Sequence, residues 1–140
     1  MKRLSIVLCT IISIVLLLTG CSNKAADIDI DLSELSSTLI QAEYVRIFSN
    51  PEDYIGKTIK LYGSYSNQRI DSSSYVHFII ILPGDDCCVI GIEFKLDDSY
   101  SFPEDYPALN SMILITGTID TYERNDNTYI YIAVNDFTVP

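Results

Sequence analysis

The 140-residue sequence predicts a small all-β domain with one N-terminal helix, built as a five-stranded barrel and preceded by a leader peptide. Two observations carry this prediction. After residue 57 apolar and polar residues alternate with a period of two, as in β-strands, whereas the segment before Pro51 has helical spacing. Gly63 and Gly117 lie inside predicted strands, where glycine permits the bulges and sharp coiling that a small closed barrel needs.

The leader begins with Lys2-Arg3, continues with an apolar run over 4–18 and ends in Leu18-Thr19-Gly20-Cys21. A plain secretory leader ends in an Ala-x-Ala-like site, and a membrane-spanning helix needs about 20 apolar residues, so neither fits this run. The pattern resembles the signal peptide of bacterial lipoproteins. That resemblance implies that 1–20 is removed, that a diacylglyceryl group is attached to the Cys21 sulfur, and that the protein is lipid-anchored on the extracytoplasmic face of the cell membrane.

The mature chain, 21–140, is long enough for one domain with a real core but too short for two. Loss of Lys2 and Arg3 with the leader takes the formal charge from −10 to −12. A surface of that sign repels phosphate backbones, so we expect no nucleic-acid binding. The sequence has no phosphate loop, nucleophile elbow or pair of metal-binding histidines, so we expect no enzymatic activity and no cofactor.

Small and polar residues over 21–31 are typical of a linker between a lipid anchor and a fold. Asp31 precedes Glu34 by three residues, a capping-box-like pair that predicts the start of a helix. Apolar residues then fall on one side of a helical wheel, which predicts an amphipathic helix over 32–48 that ends at the Asn50-Pro51 step. These apolar residues are Leu32, Leu35, Leu39, Ile40, Ala42 and Ile47.

Five strands are predicted after the helix, over 57–66, 75–82, 87–95, 112–122 and 128–139. Turn residues at 83–86 and 124–127 predict one hairpin between the second and third strands and another between the fourth and fifth. Residues 96–110, predicted to form a loop or a short helical turn, separate the two blocks. Two such blocks with interior bends form the pattern of the OB-fold, a five-stranded barrel. The folded domain is therefore expected over 32–140.

Four segments carry a further resemblance. Pro-Glu-Asp-Tyr-Ile-Gly-Lys-Thr-Ile-Lys-Leu-Tyr-Gly at 51–63 resembles the first strand of extracytoplasmic OB-like domains. Cys-Cys-Val-Ile-Gly-Ile-Glu-Phe at 87–94, Pro-Glu-Asp-Tyr-Pro at 103–107 and Ile-Thr-Gly-Thr-Ile-Asp-Thr-Tyr at 115–122 resemble a group of uncharacterised lipoproteins of Gram-positive anaerobes. The resemblance covers about 40–139. It implies an extracytoplasmic location and an OB-like architecture, and it implies no activity.

Cys87 and Cys88 are the two cysteines left after removal of the leader and lipidation. Three interpretations stay open: two structural thiols, a strained adjacent disulfide or redox pair, and a pair of soft-metal ligands. Strand alternation puts Cys88 on the face of Ile90 and Ile92 and Cys87 on that of Glu93, so Cys88 is expected to be buried and Cys87 exposed. A thiol-redox or soft-metal-binding function is accordingly the alternative to a binding function.

His77 is the sole histidine and the natural third ligand for such a metal site. If Leu82 pairs with Cys87, His77 faces Ile92 and lies about 13 Å along the sheet from Cys88. Zinc ligands bond at about 2.0 to 2.3 Å from the ion, so a Cys-Cys-His site is not expected. His77 is predicted to be a partly buried polar residue.

Six of the ten tyrosines lie on predicted strands and form a candidate ligand face. They are Tyr62, Tyr65, Tyr75, Tyr122, Tyr129 and Tyr131. OB-fold faces bind oligosaccharides, and aromatic rings offer stacking surfaces for extended polymers. Tyrosine is also a favoured strand residue, so half-buried sheet positions are the alternative explanation. The sequence thus predicts a membrane-anchored binding or interaction module for a protein, peptide or glycan.

Overall fold

The computed structural model describes residues 27–81 and 89–140. Its elements in chain order are β1 (Ile30–Asp31), α1 (Ser37–Ser49), a 3-10 turn (Pro51–Asp53), β2 (Thr58–Arg69), β3 (Tyr75–Ile81), β4 (Ile90–Lys95), β5 (Met112–Arg124) and β6 (Asn127–Thr138). The predictions for Cys21, for Cys87 and Cys88 and for the 83–86 turn lie outside the described residues. Within the described ranges, no helix has the length and apolarity needed to cross a bilayer.

Five strands, β2 to β6, close into a barrel in the order β2-β3-β4-β6-β5, with β5 returning to β2. All neighbouring barrel strands are antiparallel except β4 and β6, which run parallel. The predicted fold class is thereby confirmed as a mostly β molecule with a closed five-stranded barrel and one helix. The fully buried side chains of the core are Tyr65, Phe94, Ile47, Ile59, Leu61, Ile79, Ile92, Ile113, Ile115, Ile119 and Ile132.

Strand β2 pairs with two other strands of the barrel, and Gly63 lies where β2 passes from one of them to the other. Residues 58–64 pair with β5, and residues 64–69 pair with β3. A Cβ atom at Gly63 would overlap the backbone carbonyl oxygen of Ile80, so this close approach requires glycine. A register shift at Gly117 marks a bulge in the pairing of β5 with β6. The bulge predicted from interior glycine is therefore confirmed at Gly117.

The helix begins at Ser37, later than the predicted start at residue 32. Leu32 is instead 2% exposed and follows β1, which pairs in parallel with the start of β2. Asp31 does not cap the helix, because its carboxylate accepts the Ser33 backbone N–H at 2.9 Å in an Asx turn. The end of the predicted linker over 21–31 is thus part of the sheet.

Helix α1 inserts Ile40 and Ile47 into the hydrophobic core. Leu35 and Leu39, predicted on the same buried side, are 39% and 53% exposed. Consecutive helical residues are rotated by about 100°, so burying Ile40 and Ile47, which lie on one stripe, turns Leu39 toward solvent. Leu35 precedes the helix and does not share its periodicity.

Strands β3 and β4 pair with His77 opposite Phe94, so the predicted pairing of His77 with Ile92 is wrong by two residues. The last described pair is Ile81 with Ile90. A shift of two residues keeps every side chain on its own face of the sheet, because side chains alternate with a period of two. The predicted inward phase of Ile90, Ile92 and Phe94 is accordingly confirmed, and all three are buried.

The last two strands are joined by a two-residue turn at Asn125 and Asp126, which have φ angles of 53° and 61°. Two successive residues with positive φ are typical of type I′ hairpins, whose twist matches that of the flanking strands. The segment 96–111 crosses between β4 and β5 without a helix or strand, which agrees with the loop among the two predicted alternatives. It places the rings of Phe102 and Tyr106 over the barrel end that holds His77.

Candidate functional site

The six candidate tyrosines do not share one face of the barrel. Tyr65 points into the core and is 1% exposed, so its assignment to a ligand face is wrong. Tyr62 lies three residues earlier on β2, and this odd spacing puts it on the outside. Tyr75 packs against Phe102 with ring centroids 4.7 Å apart. The remaining three cluster on the outside of β5 and β6, and we call them the tyrosine face: Tyr122, Tyr129 and Tyr131.

Strand pairing brings these three rings together. Tyr122 of β5 lies directly opposite Tyr129 of β6, and Tyr131 is two residues further along the same side. The rings of Tyr122 and Tyr129 are stacked, with centroids 5.4 Å apart and planes inclined by 18°. Tyr131 meets Tyr122 edge-on at 5.8 Å. Both arrangements are the favourable geometries for aromatic pairs, and all three residues are half-buried.

Two cationic side chains cover parts of the tyrosine face. Lys95 Nζ lies 3.7 Å from the ring centroid of Tyr122 and 3.9 Å from that of Tyr131. The Arg124 guanidinium lies 4.7 Å from the ring centroid of Tyr129. The negative face of an aromatic ring attracts cations over these distances. The rings therefore form an electron-rich surface that already holds an ammonium and a guanidinium group.

Two carboxylates bind the phenolic hydroxyls. Tyr122 donates a hydrogen bond to Glu93 Oε2 at 2.8 Å, and Tyr131 donates one to Asp120 at 3.1 Å. Burial, followed by the hydrogen bond to Glu93, raises the pKa of Tyr122 to about 12. Burial and the Asp120 hydrogen bond also raise the pKa of Tyr131. Both phenols thus stay protonated at neutral pH and act as hydrogen-bond donors.

Glu93 is 9% exposed although it lies on the outer side of β4. Its strand neighbour across the parallel pairing is Tyr131, and Lys95 Nζ lies 4.0 Å from Glu93 Oε1. A buried carboxylate needs such partners because desolvation of the charge is otherwise costly. Glu93 is consequently the charged centre of the site.

His77 belongs to a separate polar cluster inside the barrel. Asn67 donates to the Tyr65 hydroxyl at 3.2 Å, and that hydroxyl lies 2.8 Å from His77 Nδ1. Burial lowers the pKa of His77 and raises that of Tyr65. Among the residues that the structure describes, no group of three or more histidine, cysteine or acidic side chains is placed to hold a metal ion.

Sequence reasoning did not single out Lys95, Arg124 or Glu93. Alternation within β4 puts Glu93 and Lys95 on one face, and this signal was readable from the sequence. The parallel pairing that brings β4 beside β6 could not be read from the sequence, because the two strands are far apart in the chain. Neither a protein-family model nor a curated protein matches this chain. The site itself, with its stacking surfaces, hydroxyl donors and cations, has the chemistry of non-covalent recognition.

Proposed function

We propose that this chain is an extracytoplasmic binding module that holds a peptide or glycan ligand across the tyrosine face. The observation that carries the proposal is the stacked pair of Tyr122 and Tyr129 beside Tyr131, half-exposed on adjacent strands. Tyrosine rings stack on sugar rings and peptide side chains, while their hydroxyls supply hydrogen bonds, which is why tyrosine is enriched in interfaces.

An OB-like assignment of the barrel supports the location of this surface. The strand order β2-β3-β4-β6-β5, closed by β2 with β5, agrees with a small Greek-key barrel of five strands. OB-folds bind ligands beside the loop that joins their fourth and fifth strands. The corresponding turn here, Asn125 and Asp126, directly follows Arg124 and is three residues from both Tyr122 and Tyr129.

A lipid tether at Cys21 would hold the module at the membrane. The proposal rests on Leu18-Thr19-Gly20-Cys21 after an apolar run. The first strand, β1, starts at Ile30, so eight residues, 22–29, separate it from the anchor. Extended chain spans at most about 3.3 to 3.6 Å per residue, which allows a separation of up to roughly 30 Å. The barrel could therefore stand clear of the head groups.

Binding to immobilised polymers tests the proposal. The chain, purified in mild detergent, is passed over an immobilised oligosaccharide and an immobilised unstructured peptide. We expect one of them to bind, and we expect Tyr129→Ala to weaken that binding by about tenfold, as for a central aromatic contact. Tyr62→Ala is the matched control, because Tyr62 is 41% exposed on another strand. Failure of both polymers, or equal losses in the two variants, would contradict the proposal.

A further inference from the structure

A cavity of about 360 Å³ lies beside the tyrosine face, between the end of α1 and the strands β3, β4 and β6. Its walls are mostly apolar and include Phe48, Pro51, Phe78 and Tyr129. Ligand pockets range from roughly 300 to 1,000 Å³, so this cavity suits a small group. Tyr129 belongs to both the cavity and the tyrosine face, so the two form one continuous site.

The cavity exists because β4 and β6 separate below their short parallel pairing. That pairing covers 93–95 of β4 and 131–133 of β6. The preceding residues of both strands, Gly91 and 128–130, line the cavity instead. A Cβ at Gly91 would meet the end of the Ile80 side chain at 3.1 Å, so the absence of a side chain there leaves room.

Glu93 is the charged residue among the described residues that line the cavity. It is more than nine-tenths buried, at 9% exposure. Its Oε2 accepts the Tyr122 hydroxyl, whereas its Oε1 lies 4.0 Å from Lys95 Nζ, beyond hydrogen-bond length. A carboxylate offers about four acceptor positions, so Glu93 keeps the capacity to bind a further donor.

The surroundings of Glu93 already hold one ammonium group. Lys95 Nζ is held by the faces of Tyr122 and Tyr131 and by the charge of Glu93. Glu93 lines the cavity together with the aromatic residues Phe48, Phe78 and Tyr129. A carboxylate combined with aromatic walls is the chemistry that recognises organic ammonium ions.

We propose that this cavity binds the ammonium group of an organic amine, with Glu93 as its counter-ion and the aromatic rings as its walls. The formal charge of −10 attracts cations to the molecule. The inference rests on the proposed binding function and adds the chemical class of the group that is bound. A lysine side chain of a peptide and a small free amine share this chemistry.

The probe is n-butylammonium, which reproduces the end of a lysine side chain, and its neutral isostere is n-butanol. The experiment is saturation-transfer NMR. The aromatic protons of the full chain are saturated, and the transfer of that saturation to the methylene protons of the probe is measured. We expect transfer to n-butylammonium and much less to n-butanol, because the cavity selects charge as well as apolar surface. A peptide with one central lysine should compete, whereas its glutamine counterpart should not.

Two variants locate the probe. Glu93→Gln keeps an acceptor for the Tyr122 hydroxyl but removes the charge, and it should lower the affinity for n-butylammonium by about tenfold. Phe78→Leu preserves apolar bulk and removes a ring, so it should weaken binding of the cation more than that of the alcohol. Glu104→Gln is the matched control, since Glu104 is exposed and outside the lining. It should leave the affinity unchanged.

Equal transfer to the cation and the alcohol, no transfer to either, or an unchanged affinity in both Glu93→Gln and Phe78→Leu would overturn the inference. The two proposals fail separately. Polymer binding that depends on Tyr129, together with no response to n-butylammonium, refutes the ammonium site and leaves the binding function standing. Binding of the amine without binding of any polymer refutes the polymer-binding function and leaves the ammonium site standing.

Discussion

The Tyr65 hydroxyl lies 2.8 Å from Nδ1 of His77, and both residues are buried between the barrel strands and the 96–111 segment. Asn67 donates to the same hydroxyl at 3.2 Å, so the Tyr65 hydroxyl links a side-chain amide to the imidazole ring. The sole histidine of the chain is therefore hydrogen-bonded within an aromatic cluster. The rings of Phe94, Phe102 and Tyr106 also lie beside His77.

Removal of the Tyr65 hydroxyl should destabilise the fold. Tyr65→Phe leaves His77 Nδ1 without its hydrogen-bond partner in a buried position, and we expect the free energy of unfolding to fall by about 1 to 3 kcal/mol. Tyr62→Phe makes the same chemical change at an exposed position of the same strand and should stay within about 0.5 kcal/mol. Urea unfolding measures both. Equal effects would show that the buried hydrogen bond contributes nothing.

His77 should make stability fall in mild acid. Burial lowers its pKa below the ordinary value of 6.5, so the unfolded chain binds the proton more readily than the folded chain. The contribution of neutral His77 to the free energy of unfolding is complete above about pH 6.5. It is lost as the pH falls from there through the pKa of His77 in the folded chain. Thermal melts between pH 7.5 and 5 should show this loss, and His77→Gln should flatten it. If the melting temperature of His77→Gln fell with pH as steeply as that of the parent chain, the loss of stability would not be due to His77.

Gly63 should resist substitution because β2 bends there between its two partners. In Gly63→Ala the new methyl group meets the Ile80 backbone carbonyl, which cannot move without breaking the β2–β3 pairing. We expect a loss of roughly 1 to 3 kcal/mol or failure to fold. Gly91→Ala meets only the flexible end of the Ile80 side chain and should cost less. Denaturant midpoints compare the two, and a greater loss in Gly91→Ala would refute the argument.

Lipidation should depend on Cys21 and on no other cysteine of the leader region. Cys21→Ala removes the sulfur to which the diacylglyceryl group is attached, so the variant should escape processing and lose incorporated labelled fatty acid. Firm anchoring needs two acyl chains. Any variant chain that is cleaved but carries no lipid should therefore be released from the membrane. Cys9→Ala, inside the apolar run, is the matched control and should be processed normally. Unchanged labelling of Cys21→Ala would contradict the lipoprotein assignment.

Local patterns in the sequence predicted most of the barrel. Alternation placed all five strands, because inward residues such as Ile59 and Ile115 recur with a period of two. The helix start was missed because Leu32 continues the helical wheel by chance, while its burial follows from β1 pairing with β2. Tyr65 was misassigned for a related reason: a tyrosine is as acceptable inside a sheet as outside, and only its phase with Leu61 identifies it as core.

The candidate site was predicted only in part. Tyr122, Tyr129 and Tyr131 were among the six tyrosines expected on strands, but the sequence did not separate them from the other three. Glu93 and Lys95 were not singled out, because their approach to Tyr131 depends on a parallel pairing between strands separated by a long loop and a hairpin. The cavity could not be predicted from the sequence either, because it results from where that pairing stops and where α1 ends. Such features arise from tertiary packing and leave no periodic signal.

The most direct test of the tyrosine face is the response of individual tyrosine rings to a ligand. With 13C-labelled tyrosine, the ten ring resonances of the chain are assigned by single Tyr→Phe variants and followed during titration with a flexible lysine-containing peptide and with an oligosaccharide. We expect the resonances of Tyr122, Tyr129 and Tyr131 to shift together, while those of Tyr62 and Tyr75 stay in place. Shifts confined to Tyr62 or Tyr75, or no shift with either polymer, would contradict this expectation.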